Sequence, residues 1–236
     1  MELSPFVFGH CGALVGARRV ETDAEADVLA AINHYALRPL GMDEVAVFTL
    51  DLCNNQVDKH HSRFPEEELA RVNALTPGRP LMERHDLRGS LPRGTFFRSR
   101  LHRDGARVSV RPEVYVLRAQ ENADFILNIE GGVYRETSIG FSFRLPECSV
   151  CGKDLRVCAH VPGRGYGDKR CHFIMREVIE VIEGSVVPAG SQGTRFVAQR
   201  RGREDAPMFA PPLEALAAAR ERFHQPIELM GAWARE

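Results

Sequence analysis

The sequence predicts an α+β domain, and three observations carry that prediction. Branched and aromatic residues gather in β-like runs such as "EVAVFTLDL" (44–52), "GTFFRSRLHRDGARVSVRPEVYVL" (94–117) and "HFIMREVIEVIEGSVV" (172–187). Between these runs lie shorter segments whose apolar residues recur at helical spacing. Four of the six cysteines fall between Cys148 and Cys171, a clustering that in a reducing compartment favours metal over disulfide.

The elements follow in order. "TDAE" from Thr22 has the form of a capping box, and Val28, Leu29, Ile32 and Tyr35 then predict a helix over 23–37 that ends before Pro39. Residues 1–43 are therefore expected to form a helical extension. A strand at 44–52 leads into the polar loop "NNQVDKHHSRFP" and a helix over 65–75, with proline and acids in its first turn. After the "TPGRP" break come "PLMERHD" and the 94–117 run, which Asp104-Gly105 divides into a hairpin. Residues 119–132 predict a helix stopped by glycine, and strands at about 134–144 and 172–187 flank the cysteine cluster. From Pro188 the chain turns rich in glycine, proline and charge. Residues 191–236 are thus expected to be a flexible linker with a short helix at 213–223.

With 44% hydrophobic and 27% charged residues, the composition excludes the disordered and fibrous classes. A net charge of -1 offers no global attraction to nucleic acid or anionic lipid, which makes a nucleic-acid partner a secondary reading. No apolar run approaches the roughly 20 residues that span a bilayer, and the N-terminus lacks the basic start and apolar stretch of a signal peptide. A cytoplasmic protein with no membrane partner is expected.

Cys148-x2-Cys151 followed by Gly152 has the form of a zinc knuckle, in which two thiolates take adjacent corners of a tetrahedron. Cys158, His160 and Cys171 supply three further candidates for the two remaining corners. The preferred set is Cys148, Cys151 and Cys158 with either His160 or Cys171. A site this rich in thiolate is closed to water, so the expected zinc is structural and folds an insertion at 146–171.

Period-two alternation puts Ile139, Phe141 and Phe143 on one side of their strand and Ser138, Gly140 and Ser142 on the other. The serine side is expected to be small and open, with Gly140 letting another group approach. A serine hydroxyl becomes a nucleophile when a neighbouring base takes its proton, and histidine is the usual base. Of nine histidines, His10, His34, His102 and His224 have no companion chemistry, His60 and His61 lie in a polar loop, and His160 and His172 belong to the metal region. His85 precedes glycine-rich turns, from which a side chain can reach a site at strand ends. Glu183 shares strand parity with Ile179 and Val181, and on such an apolar face a carboxylate wants a partner. Gly184 can shift the register there, and a solvated edge glutamate fits the periodicity equally well.

Taken together and in order, "DLCNNQVDKHHSRFPEEEL", "GRPLMERHD" with "LPRG", "ADFILNIEGGVYRETSIGF" and "VIEVIEGSVVPAG" resemble the prohead (head maturation) serine proteases of tailed bacteriophages. The likeness covers about 44–190. It implies Ser138 as nucleophile, His85 as general base and Glu183 as third member, with Asp86 the rival orienter. It also implies a small, mostly antiparallel β-barrel ringed by helices, like that of herpesvirus assemblins, with the cysteine-rich insertion a zinc brace beside the serine. Gly184 stands where the family commonly has valine. The implied substrates are capsid and scaffold precursors, together with the chain's own tail after Pro188. The implied setting is a homo-oligomer inside the assembling prohead, in the host cytoplasm, or in the bacterial cytoplasm if the chain is prophage-encoded. Two other readings stand beside this one. One is a non-catalytic, zinc-braced capsid-assembly or scaffold-binding protein. The other is a nucleic-acid module using the knuckle with "RGYGDKR" and "QRRGR".

Overall fold

A computed structural model describes residues 6–17 and 22–191. In chain order the strands are β1 (Phe6–Ala17), β2 (Val45–Leu50), β3 (Cys53–Asn54), β4 (Ser62–Arg63), β5 (Pro80–Met82), β6 (Pro92–Asp104), β7 (Arg107–Leu117), β8 (Glu136–Cys148), β9 (Gly165–Tyr166), β10 (Lys169–Arg170) and β11 (Phe173–Val187). The helices are α1 (Thr22–Asn33), α2 (Glu66–Leu75) and α3 (Ala123–Glu130). The linker and short helix expected over 191–236 lie outside the described residues, apart from Ser191. Among the described residues no helix is long and apolar enough to cross a membrane.

The chain is mixed α+β, with a large, mostly antiparallel sheet and few helices. Neighbours in the sheet run β2-β1-β8-β11-β5-β6-β7-β3, with β4 beside β11 and β2 paired a second time, to β7. Only β4 and β5 run parallel to β11. The Asp104-Gly105 hairpin forms as expected, with Asp104 opposite Arg107 and Gly105 at φ 55°. The helix expected over 23–37 forms as α1, Thr22–Asn33, but the residues before it are not helical throughout. Residues 6–17 are strand β1, held between β2 and β8, so the sheet begins well before residue 44. Three glycines blur its period, since glycine carries no side chain to pack, and hydrogen bonds on both edges supply what propensity does not.

Alternation along β6 sends neighbouring phenylalanines to opposite sides. Phe96 joins the main core, with Phe48, Leu50, Ile139 and Phe141, while Phe97 joins a second cluster in which Val28 and Ile32 of α1 meet Val45 and Tyr115. Helix α2 adds Leu69 and Val72 to the main core, and α3 adds Phe125, Ile126 and Ile129. Phe141 packs on Phe64 and Phe143, with ring centroids 4.9 and 5.7 Å apart, and Phe143 stacks on Phe173 at 6.4 Å.

The β8–β11 hairpin is the long feature of the molecule, and it curls. The Phe173 N–H donates to the His61 carbonyl at 2.9 Å, while the Lys59 N–H donates to the Ser191 carbonyl at 3.0 Å. Two positions of one loop thus touch the start of the 15-residue β11, whose contour is about 50 Å, and Ser191, four residues past its end. The curvature comes from register shifts between Val178 and Glu180 and between Val181 and Glu183, beside a left-handed Glu177 at φ 56°. The Glu68 carboxylate caps this kink, accepting the N–H groups of Glu177 and Val178 at 2.9 and 3.0 Å.

Candidate active site and metal cluster

Three adjacent strands build the first site. On β8 and β11, Ser138 lies directly opposite Ser185, and Gly140 opposite Glu183. On β5, Met82 pairs in register with Ser185, and the chain then leaves the sheet toward His85. The exit is fixed by Glu83, whose Oε2 accepts from Arg93 Nε and Nη2 at 3.1 and 2.8 Å.

The register shift at Ile182 decides where Glu183 points. Val181 faces Phe141 in the core, and with one extra residue in between, Glu183 falls opposite Gly140 on the serine side. The expectation that Glu183 shares a face with Val181 and Ile179 is therefore overturned, and the bulge is the reason. Ile179 is itself partly exposed. The solvated edge glutamate is also excluded, since Glu183 is 2% exposed.

Buried there, the carboxylate finds two partners. Glu183 Oε1 lies 2.6 Å from His85 Nδ1, and Oε2 accepts from the Ser185 hydroxyl. A carboxylate accepts, so the contact suits an Nδ1–H donor, and in the neutral ring that arrangement turns the Nε2 lone pair away from Glu183. The His85 ring is about a third exposed. Asp86 is engaged elsewhere. Its Oδ1 accepts the N–H groups of Arg88 and Gly89 at 3.1 and 2.8 Å, closing a local turn instead.

Two glycines make room for this arrangement. A Cβ on Gly140 would overlap Glu183 Oε1 and come within 3.3 Å of its Cγ. A Cβ on Gly184 would strike the Phe96 ring at 2.6 Å and Leu52 at 3.1 Å. The serine side is small but not open: Ser138 is 5% exposed and Ser142 is 2% exposed. Among the described residues the Ser138 hydroxyl forms no hydrogen bond. Ser138 and Gly140 share a side of β8, so the serine stands about 7 Å along the strand from the row that holds Glu183. Ser185 was passed over in the sequence, although its spacing of two from Glu183 already placed both on one side.

The second site lies ten positions further along β8, at Cys148, which pairs with Phe173 at the other end of the ladder. The knuckle is thus not beside the serine, as the resemblance implies, because β8 runs on to Cys148 before the insertion begins. Ligand atoms of Cys148, Cys151, Cys158 and His160 all lie within 4.8 Å of one another, a group that can hold a metal ion. Cys171 adjoins them, its Sγ 3.9 Å from that of Cys148, close to the spacing of roughly 3.8 Å set by metal–sulfur bonds near 2.3 Å.

The surroundings suit a cation. Burial pushes the Cys148 thiol up, but the N–H groups of Cys151 and Val150 and the neighbouring Cys151 and Cys158 thiols outweigh it and bring it down to about 6. Gly152, at φ 71°, allows the turn that aims those N–H groups at sulfur. Burial, then the adjacent Cys148, pushes Cys171 up to about 11. His160 Nδ1 is buried without a hydrogen-bond partner among the described residues, which fits a role as a metal ligand. The other histidines of this region stay out of the group. His172 is lowered, chiefly by burial, and the His61 ring packs against Gly163.

Compared with known proteins, the chain matches no family model, no curated protein and no solved structure.

Proposed function

We propose that the chain is a serine endopeptidase of the phage head-maturation type, which cleaves capsid and scaffold precursors through an acyl-enzyme. The observation that carries this reading is the buried Glu183 held 2.6 Å from His85 Nδ1, on the side of the sheet that also bears Ser138. Two segments 98 residues apart bring a carboxylate and an imidazole into the orientation that leaves Nε2 free to take a proton. In the proposed reaction the Ser138 hydroxyl attacks the scissile carbonyl as His85 Nε2 accepts its proton. His85 then returns that proton to the leaving amine, and Glu183 stabilises the imidazolium in between. The succession of pairings, with β2 joined to both β1 and β7, supports a small barrel as the scaffold. Zinc is the proposed ion of the knuckle, held by three thiolates and one histidine or by four thiolates, in a closed structural site.

The test is co-expression with the candidate capsid or scaffold protein, wild type against Ser138→Ala, read by intact mass. Fragments that vanish only in the variant support proteolysis at Ser138. An unchanged fragment pattern overturns it.

A second reading, a zinc-braced assembly or scaffold-binding protein without turnover, is favoured by the near-complete burial of Ser138. It predicts retained binding to the scaffold with no labelling of Ser138 by a fluorophosphonate.

A further inference from the structure

We infer that Ser185 is a positioning residue that aims the Glu183 carboxylate at His85, an inference that rests on the proteolytic reading above. Ser185 is fully buried and lies directly across the ladder from Ser138. Its hydroxyl donates to Glu183 Oε2, while Oε1 accepts from His85 Nδ1. Among the described residues these two are the hydrogen-bond partners of that carboxylate.

The terminal torsion of a glutamate is broad, so one contact leaves the carboxylate free to swing. Its two oxygens turn together, and pinning Oε2 therefore fixes Oε1. Gly140 supplies the space in which the group sits but no donor from a side chain. The Ser185 hydroxyl supplies the donor, from a strand whose register is already locked to β8 and β5. Ser185 is not a second nucleophile, because its proton points at Glu183 and the imidazole occupies the other oxygen. The chain Ser185 to Glu183 to His85 fixes the direction of the base, and Ser138 lies directly across the ladder from Ser185.

The test compares full-length wild type, Ser185→Ala and Ser185→Thr, which retains a hydroxyl on a strand that favours branched residues. Three quantities are read: solvent exchange of the His85 Nδ1–H by NMR, the rate of fluorophosphonate labelling at Ser138, and the melting temperature. A hydrogen bond to a charged group predicts that the alanine variant exchanges about 10–100-fold faster and labels slower by a similar factor, with threonine restoring both. Ser185→Cys keeps the volume with a weak donor and serves if the alanine variant does not fold. Unchanged exchange and labelling in a folded variant overturns the inference, since a merely structural serine would move only the melting temperature. If wild type never labels, the proteolytic reading falls, while the exchange measurement still decides the role of Ser185.

Discussion

The two ends of the β8–β11 ladder are built on opposite principles. At the Cys148 end every candidate ligand comes from one segment of 24 residues, in which the turn at Gly152 brings Cys148 and Cys151 together and short local elements return Cys158, His160 and Cys171 to them. At the Ser138 end the groups come from two strands and the segment that follows a third, and His85 reaches Glu183 across 98 positions of chain. The first end is organised by local backbone into a group that can hold an ion, the second by sheet register. Metal should therefore govern the knuckle's own fold, while errors of register and packing should govern the His85–Glu183 pair.

The largest expected effect comes from crossing the two ends. Glu183→Gln should slow labelling of Ser138 by roughly 10²–10⁴-fold, as loss of a triad carboxylate does, and leave metal content unchanged by elemental analysis. Cys148→Ser should abolish stoichiometric metal and cost about 2–5 kcal/mol of stability, yet leave labelling of the remaining folded protein within a few-fold. Metal loss in the Glu183 variant, or silencing of Ser138 in the folded Cys148 variant, would show that the ends are not independent.

Gly140→Ala should have the next largest effect. Its Cβ must displace the Glu183 carboxylate, which predicts a fall in labelling of about 10–100-fold alongside a fold loss of about 1–3 kcal/mol. The smallest effect is expected from Gly184→Val. The added side chain meets Phe96 and Leu52, so denaturant melts should show a loss of about 1–3 kcal/mol, with the His85–Glu183 pair intact. A stabilised Gly184→Val variant would mean that Phe96 yields easily.

The same contrast explains what the sequence disclosed. The knuckle was legible because its ligands share one short stretch, and cysteine spacing records such geometry directly. The alternation of Ile139, Phe141 and Phe143 was legible too, and all three lie in the core. The side taken by Glu183 was not, because one extra residue at Ile182 reverses parity and leaves no mark in composition. Strand β1 was hidden for a related reason. Its glycines remove the period that identifies a strand, and its place in the sheet depends on partners more than a hundred residues away.

The loop that carries Lys59 and His61 acts as a bowstring to β11. The register shifts bend the strand, and the loop spans the bend as a short string, cinched by the Asp58 carboxylate that accepts the N–H groups of His60 and Ser62 at 2.9 and 2.7 Å. Its knot at one end is Phe173, beside the cysteines, and at the other Ser191, with Lys59 Nζ also grasping the Gly190 carbonyl at 3.0 Å. Chain length added to the knuckle would hang outside the bow and leave its arc untouched. A single residue added between Lys59 and His61 would slacken the string and open the arc.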